Sequence, residues 1–366
     1  MPELDRHFNN VPDLRAGNTS HRLGDIIVMM IAASLCGADN ASEYALFADT
    51  RKALLNRLIV YDKAPSHDTF SRVLRFVDPD AFARSFERFA AAFHQVMVAK
   101  YGSSGTTKDV DGVVAIDGKS LRRAYERGNV ASPPMTVSAF AADSRLCLGA
   151  CAVKPGENEI MAALEVVELL DLTGKIITSD ALHTTKAMAQ SVIEKGGNYV
   201  LALKGNRPKW LQQAKQLLDD GPVQSVDTIN TEHGRSMFYH AQTVAAPDQM
   251  IAGHVCYGAI TSSRDHAAPV TRYFISSLNL DPARLMAITK GHWTIENNLH
   301  WVLDVQLNED GNRARKDHAP ANTAILKRIA RNILQTIDKP KTPISHRIKK
   351  CAWDDDYLLN ALSHMR

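Results

Sequence analysis

The sequence has few cysteines, no long apolar run and no marked excess of either charge. Cys36, Cys147, Cys151, Cys256 and Cys351 are odd in number and include no CxxC pair, which argues against a disulfide framework and a zinc knuckle. The longest apolar run, Ile26 to Ala38, falls short of the ~20 residues a membrane-spanning helix needs and predicts a buried helix instead. No basic and apolar leader opens the chain, so the expectation is a cytoplasmic protein with no membrane partner. Lys plus Arg number 43 against 40 Asp plus Glu, too even a balance to identify an anionic partner by itself. Repeats and low-complexity tracts are absent, and only Lys339 to Lys350 is notably basic. Hydrophobic residues make up 45% of the 366 positions, enough to bury a core across two or three domains.

Apolar spacing predicts helices from Thr19 to about Lys100, with Ser66 placed to cap a helix that carries Arg72 and Arg75. That segment reads as an all-helical N-terminal domain over 1–105. The Gly-Ser-Ser-Gly-Thr-Thr stretch between Tyr101 and Lys108 reads as a linker. Beyond it, Val113 to Ile116 is a buried strand leading to Asp117, and Met135 to Ala141 with Leu146 to Val153 complete a meander turned at Asp143-Ser144. A helix over Glu159 to Leu172, a strand from Lys175 to Asp180, a helix over Thr185 to Lys195 and a strand from Tyr199 to Leu203 follow. Three strands, helix, strand, helix, strand is the order of an α/β, ribonuclease H-like mixed sheet with flanking helices, set over 106–208 and 282–366. Between these parts, 209–281 reads as a mainly β insertion with strands Ser236 to Val244, His254 to Ile260 and Arg272 to Leu278. Helix resumes from Pro282 through Trp293 and Trp301, and again from Ala319 to Ile337.

Two neighbouring strands that each end in an aspartate bring their carboxylates to one sheet edge, and an acid from an adjacent helix completes an oxygen site for divalent cations. On a helix, His292, Glu296, His300 and Asp304 share one i, i+4 ridge, which makes Glu296 the helical candidate. Spacing alone leaves Asp304, Glu309 and Asp310 as rivals. Asp117 before glycine also suits a turn, and Asp180 also suits a helix cap. His292 and His300 permit a zinc reading, but no HExxH pattern supports it.

Asp117 within Val-Ala-Ile-Asp-Gly-Lys-Ser, Asp180 within Thr-Ser-Asp-Ala-Leu-His-Thr, and Glu296 within Gly-His-Trp-Thr-Ile-Glu-Asn followed by Leu-His-Trp-Val-Leu-Asp-Val form one set. These motifs resemble the H-repeat-associated branch of insertion-sequence DDE transposases, over nearly the whole chain. The resemblance implies Asp117, Asp180 and Glu296 as both catalytic residues and metal ligands, with Mg²⁺ as cofactor and Mn²⁺ able to substitute. It implies cleavage of an element's ends and strand transfer into target DNA, with double-stranded DNA as partner and a homodimer once DNA is bound. Alternatives are a metal-dependent DNA nuclease without strand transfer and an inactive DNA-binding relative.

The wider group carries Tyr, Arg, Glu and Lys where this sequence has Thr289, His292, Glu296 and Leu303, so its usual cationic helpers are missing. His292, His300, Arg313, Arg315 and Lys316 are candidates to meet phosphate in their place. Lys119, Arg122, Arg123, Lys186, Lys204, Lys209 and Arg235 are further candidates to line a DNA path, and Trp293 and Trp301 to stack on an unpaired base.

Overall fold

The computed structural model describes residues 7–15, 19–101, 110–124, 133–232, 235–264, 268–338 and 341–363; the side chains of 96–101, 230–232 and 235 are not described. The linker read between Tyr101 and Lys108 falls outside them, apart from the backbone of Tyr101.

Four longer helices build the N-terminal part: α1 Leu23–Leu35, α2 Ala41–Thr50, α3 His67–Phe76 and α4 Pro79–Tyr101. Helix α1 is apolar nearly all round, and all of its residues but Asp25 are buried, which fits its place at the centre of the helical layer. Ser66 Oγ accepts from Thr69 N at the start of α3, so this cap forms as the sequence predicts.

The sheet begins with β1 Val113–Ser120, β2 Met135–Ala141 and β3 Leu146–Ala152, an antiparallel meander. Helix α5 (Glu159–Leu169) leads to β4 (Ile176–Ser179), and helix α6 (Lys186–Glu194) leads to β5 (Asn198–Leu203). Strands β1, β4 and β5 are parallel, and the order β3-β2-β1-β4-β5 is the ribonuclease H-like arrangement. Val113 to Ile116 are fully buried, as expected of β-branched and apolar residues on a central strand covered on both faces.

Helix α7 (Pro208–Asp220) and strands β6 (Gln224–Glu232), β7 (Arg235–Ala245), β8 (Cys256–Arg264) and β9 (Val270–Ser276) occupy the segment read as an insertion. These strands do not form a separate sheet. β9 pairs antiparallel with β5, and the nine strands run in one sheet in the order β3-β2-β1-β4-β5-β9-β8-β7-β6. Helix α8 (Pro282–His292) then crosses back over β1. Gly291 sits at this crossing, where an added Cβ would lie 3.2 Å from Val113 Cγ1.

After α8 the chain makes a wide π-turn, Glu296–His300, continues as α9 (Trp301–Val305), and later forms α10 (Ala319–Thr336), α11 (Ile344–Trp353) and α12 (Asp355–Ser363). Helix α10 packs on α1, α3, α4 and β3, joining the helical layer to the sheet through one continuous core. It buries Lys327, Arg328, Arg331 and Asn332 as well as its apolar side chains. Among the described residues no helix is long and apolar enough to cross a membrane.

Candidate active site

Strand β4 pairs with β1 only as far as Ile116 opposite Ser179, whereas β2 follows β1 on to Ser120. Asp117 and Asp180 are therefore the next residues on two adjacent parallel strands, at the edge where that ladder ends. Neither takes its bland alternative. Asp117 lies within β1, opposite Ser138 of β2, and helix α6 is capped by Thr185 rather than by Asp180.

Asp117 is pushed up to about 7, first by burial and then by repulsion from Asp180, Glu159 and Glu296, against the pull of the Gly118 N–H. That repulsion records three further carboxylates close to one half-buried aspartate. His183 is fully buried, with Nδ1 3.3 Å from Asp180 Oδ1 and Nε2 3.2 Å from Glu159 Oε1. These are ion-pair distances rather than aligned hydrogen bonds. Burial opposes the charge on this ring, but the two carboxylates outweigh it and raise His183 to about 9. Asp180 is correspondingly held below its ordinary range: burial works against this, and His183 with the N–H groups of Leu182 and His183 overcomes it.

Glu159 and His183 were not singled out from sequence. His183 stands inside the quoted Asp-Ala-Leu-His motif, three residues after Asp180, and was the one readable signal. Glu159 reads only as the first residue of a helix capped by Asn158.

Glu296 is exposed on the wall of a cleft of about 430 Å³ that also takes in Asp180, Lys204, Arg272, Lys290 and Trp293. Asp117 is not part of that lining; His300 Nδ1 lies 3.6 Å from its Oδ2. Burial, with the nearby Arg328 and Lys119 cations, pushes His300 down to about 3, so its ring is neutral. Burial likewise lowers His292 to about 4, and its Nδ1 shares a 3.0 Å hydrogen bond with the Thr178 hydroxyl. Both rings thus stand beside the acids as neutral groups, His292 on Thr178 and His300 on Asp117.

Lys119 lies on the same strand as Asp117. It is 7% exposed, with Nζ 2.6 Å from Asp304 Oδ1, 3.1 Å from Asp310 Oδ1 and 3.5 Å from Glu309 Oε2. Two residues along β1 from Asp117, it points into an ionic cluster. The same cluster engages the three rivals of Glu296, since Arg328 Nη1 also donates to Glu309 Oε1 at 2.7 Å. Arg122, Arg123, Lys186, Lys204, Lys209 and Arg313 are exposed, and half-buried Arg315 donates to the Arg123 carbonyl at 3.0 Å. The side chain of Arg235 is outside the described residues. Arg272 and Lys290, on the cleft wall, were not anticipated.

Among the described residues, no three His, Cys, Asp or Glu side chains already form a metal-holding cluster. The donor set still fits a hard divalent cation, because Asp117, Asp180 and Glu296 offer only carboxylate oxygens. The repulsion of Asp117 by Asp180 and Glu296, which adds to the effect of burial, is also what such a cation would relieve.

The family profile described as "Transposase DDE domain" matches residues 108–333, and one described as "DDE_Tnp_1-associated" matches residues 6–90. The "H repeat-associated putative transposase YhhI" of Escherichia coli (strain K12) is 28% identical over 99% of this chain and 98% of its own length. The "H repeat-associated putative transposase YbfD" of the same strain is 32% identical over 57% of this chain and 78% of its own. A piggyBac transposase synaptic complex with hairpin DNA is a more distant likeness, with a TM-score of 0.42, 11% identity, and coverage of 98% of this chain and 77% of that one. Since the transposase profile spans well over half of the residues, the chain belongs to the DDE transposase family and carries both its DDE domain and the domain associated with it.

Proposed function

We propose that the chain is the transposase of a bacterial insertion sequence, cutting the element's ends and joining them to target DNA with divalent cations held by Asp117, Asp180 and Glu296. The observation that carries this is the pair of aspartates at the end of the β1–β4 ladder, with Asp180 and Glu296 on the wall of one cleft. Bound Mg²⁺ or Mn²⁺ would supply the Lewis acidity for in-line phosphoryl transfer.

The protein's own side chains orient the acids. His183 holds Asp180 and Glu159 from beneath, and neutral His300 stands beside Asp117 without adding charge. Lys204, Arg272 and Lys290 on the cleft wall hold the phosphate backbone, a contact that positions DNA without reading its sequence. Trp293, 44% exposed on the same wall, offers a face to a base. In this reading 1–105 is a helical domain that contributes to DNA binding, and 106–208 with 282–366 is the catalytic domain. The 209–281 insertion supplies the cleft's far wall through β7, β8 and β9. Joining two element ends calls for two active sites, hence a homodimer on DNA, acting in the cytoplasm.

The test supplies labelled duplexes carrying the element's ends, a target plasmid and Mg²⁺. The wild-type protein should give nicked donor and joined product. Asp117→Asn, Asp180→Asn and Glu296→Gln should each abolish both while DNA binding persists. Nicks without joined product would leave a nuclease, and unaltered cleavage by any variant removes that residue from the mechanism.

A further inference from the structure

The wide turn that carries Glu296 is the least expected element of the site. Four-residue steps along an ordinary helix drift by about 40° each, so His292, Glu296, His300 and Asp304 would wind progressively away from the sheet. The extra residue in the π-turn Glu296–His300 reverses that drift. It leaves His292 on Thr178, His300 beside Asp117 and Asp304 on Lys119, with Glu296 on the cleft wall between them. A π-turn is less favourable than the α-turn it replaces and persists only where its surroundings impose it.

A buried arginine on the opposite helix bonds into this turn. Arg331 of α10 is 1% exposed, and its Nη2 donates to the Asn298 carbonyl, inside the turn, at 2.8 Å. Nη1 donates to the Arg145 carbonyl, Nη2 is 3.3 Å from Gln335 Oε1, and the guanidinium lies 5.1 Å from the Phe140 ring centroid. Its hydrogen-bond partners among the described residues are thus neutral oxygens, and no carboxylate answers the charge. Burying a guanidinium on such terms is costly, and an apolar side chain would fill the space against Phe140 without that cost. The fork does one thing an apolar side chain cannot: it satisfies a carbonyl in the turn while anchoring to the loop before β3.

We propose that Arg331 is a positioning residue for Glu296, holding the wide turn open so that the third acid reaches the metal site. This rests on the reading of Glu296 as a metal ligand. The role is distinct from core packing because it acts through one carboxylate.

The test measures Mn²⁺ binding by electron paramagnetic resonance, with a linear DNA duplex present. It uses the full chain as wild type, R331K, R331M, E296Q and the R331M/E296Q double variant. R331K keeps the stem and charge but not the fork, and serves where R331M does not fold. Each Arg331 variant should weaken Mn²⁺ binding by about 10-fold or more, the range for partners that orient a ligand. The double variant should bind no worse than E296Q alone, since two changes on one path do not add. If E296Q binds Mn²⁺ like wild type, Glu296 is no ligand and the functional reading fails with it. If E296Q weakens binding but folded R331K or R331M does not, or if the losses multiply, only the positioning role is overturned. Unfolding of both Arg331 variants also overturns it, because the guanidinium is then a requirement of the core.

Discussion

A Cβ built on Gly118 would lie 2.3 Å from Glu159 Oε1 and 2.6 Å from its Cδ, so only a glycine lets this carboxylate approach the strand that carries Asp117. Gly118→Ala should turn Glu159 aside and break its 3.2 Å contact with His183, leaving that ring to Asp180 alone. The atoms displaced are the end of a long side chain, so the stability cost should be only about 1 kcal/mol. DNA nicking should fall much more, by roughly 10-fold, if Glu159 acts through the support of Asp180. Urea midpoints and nicking rates measured on one preparation separate the two effects. Wild-type nicking would make Glu159 a bystander.

Asp117 and His183 each make stability fall as pH rises, in two successive windows, whereas the lowered His292 and His300 act in the opposite sense below pH 6.5. Asp117, raised from 3.8 to about 7, binds its proton more tightly folded than unfolded, so its unfavourable contribution grows between about pH 4 and pH 7. A gap of about three units is worth at most about 4 kcal/mol, and solvent at a side chain 22% exposed reduces it. His183, raised from 6.5 to about 9, is stabilising below pH 6.5 and loses that contribution as pH climbs through 9. Asp117→Asn should therefore raise the urea midpoint of the metal-free protein at pH 8 and leave it unchanged near pH 4. A lowered midpoint at pH 8 would contradict the crowding of carboxylates at this position.

Lys119→Met should behave as a core lesion rather than a DNA-binding defect. It removes the cation that lies within 3.5 Å of Asp304, Asp310 and Glu309, leaving buried Glu309 with Arg328 as its remaining cation. Breaking a buried ion pair costs about 3–5 kcal/mol, measurable as early unfolding in urea. Among molecules that remain folded, the salt dependence of DNA affinity should match wild type. A reduced salt slope at unchanged stability would move Lys119 back to the DNA surface.

How much of this was legible follows from how far each residue's role depends on its neighbours in the chain. Asp117 and Asp180 each follow an apolar strand, and the apolar runs and helical patterns around them were enough to read the order of strands and helices along the chain. The joining of β9 to β5 was not readable, because pairing between distant strands leaves no local signature; nor were β6 and helix α7 anticipated. The π-turn escaped because Trp-Thr-Ile-Glu-Asn-Asn-Leu-His is compatible with a continuous helix, and the side chain that bonds within the turn, Arg331, lies 33 residues beyond Asn298. The inward setting of Lys119, His292 and His300 was not readable for one reason. A cationic or titratable side chain in a sequence carries no label for burial, and here Asp304 and Glu309, Thr178 and Asp117 turn them inward.

The cleft's cations lead to a prediction of the opposite kind from Lys119. The Arg272 guanidinium lies 5.2 Å from the Trp293 ring centroid and Lys290 Nζ 4.7 Å from that of Tyr239. Aromatic faces hold these charges in place without neutralising them. With exposed Lys204 they line the wall shared by Asp180 and Glu296, and none of the three makes an ion pair among the described residues. Lys204→Ala, Arg272→Ala and Lys290→Ala should each weaken binding of unrelated duplexes by a similar factor and lower the slope of log affinity against log salt by about 0.9. Their urea midpoints should stay near wild type, because no buried partner is left behind. Fluorescence anisotropy across a salt series reads both quantities of interest, affinity and slope. A triple variant with an unchanged slope would place the DNA path on another face, toward Arg122, Arg123 and Arg313, and would separate the cleft from the substrate backbone.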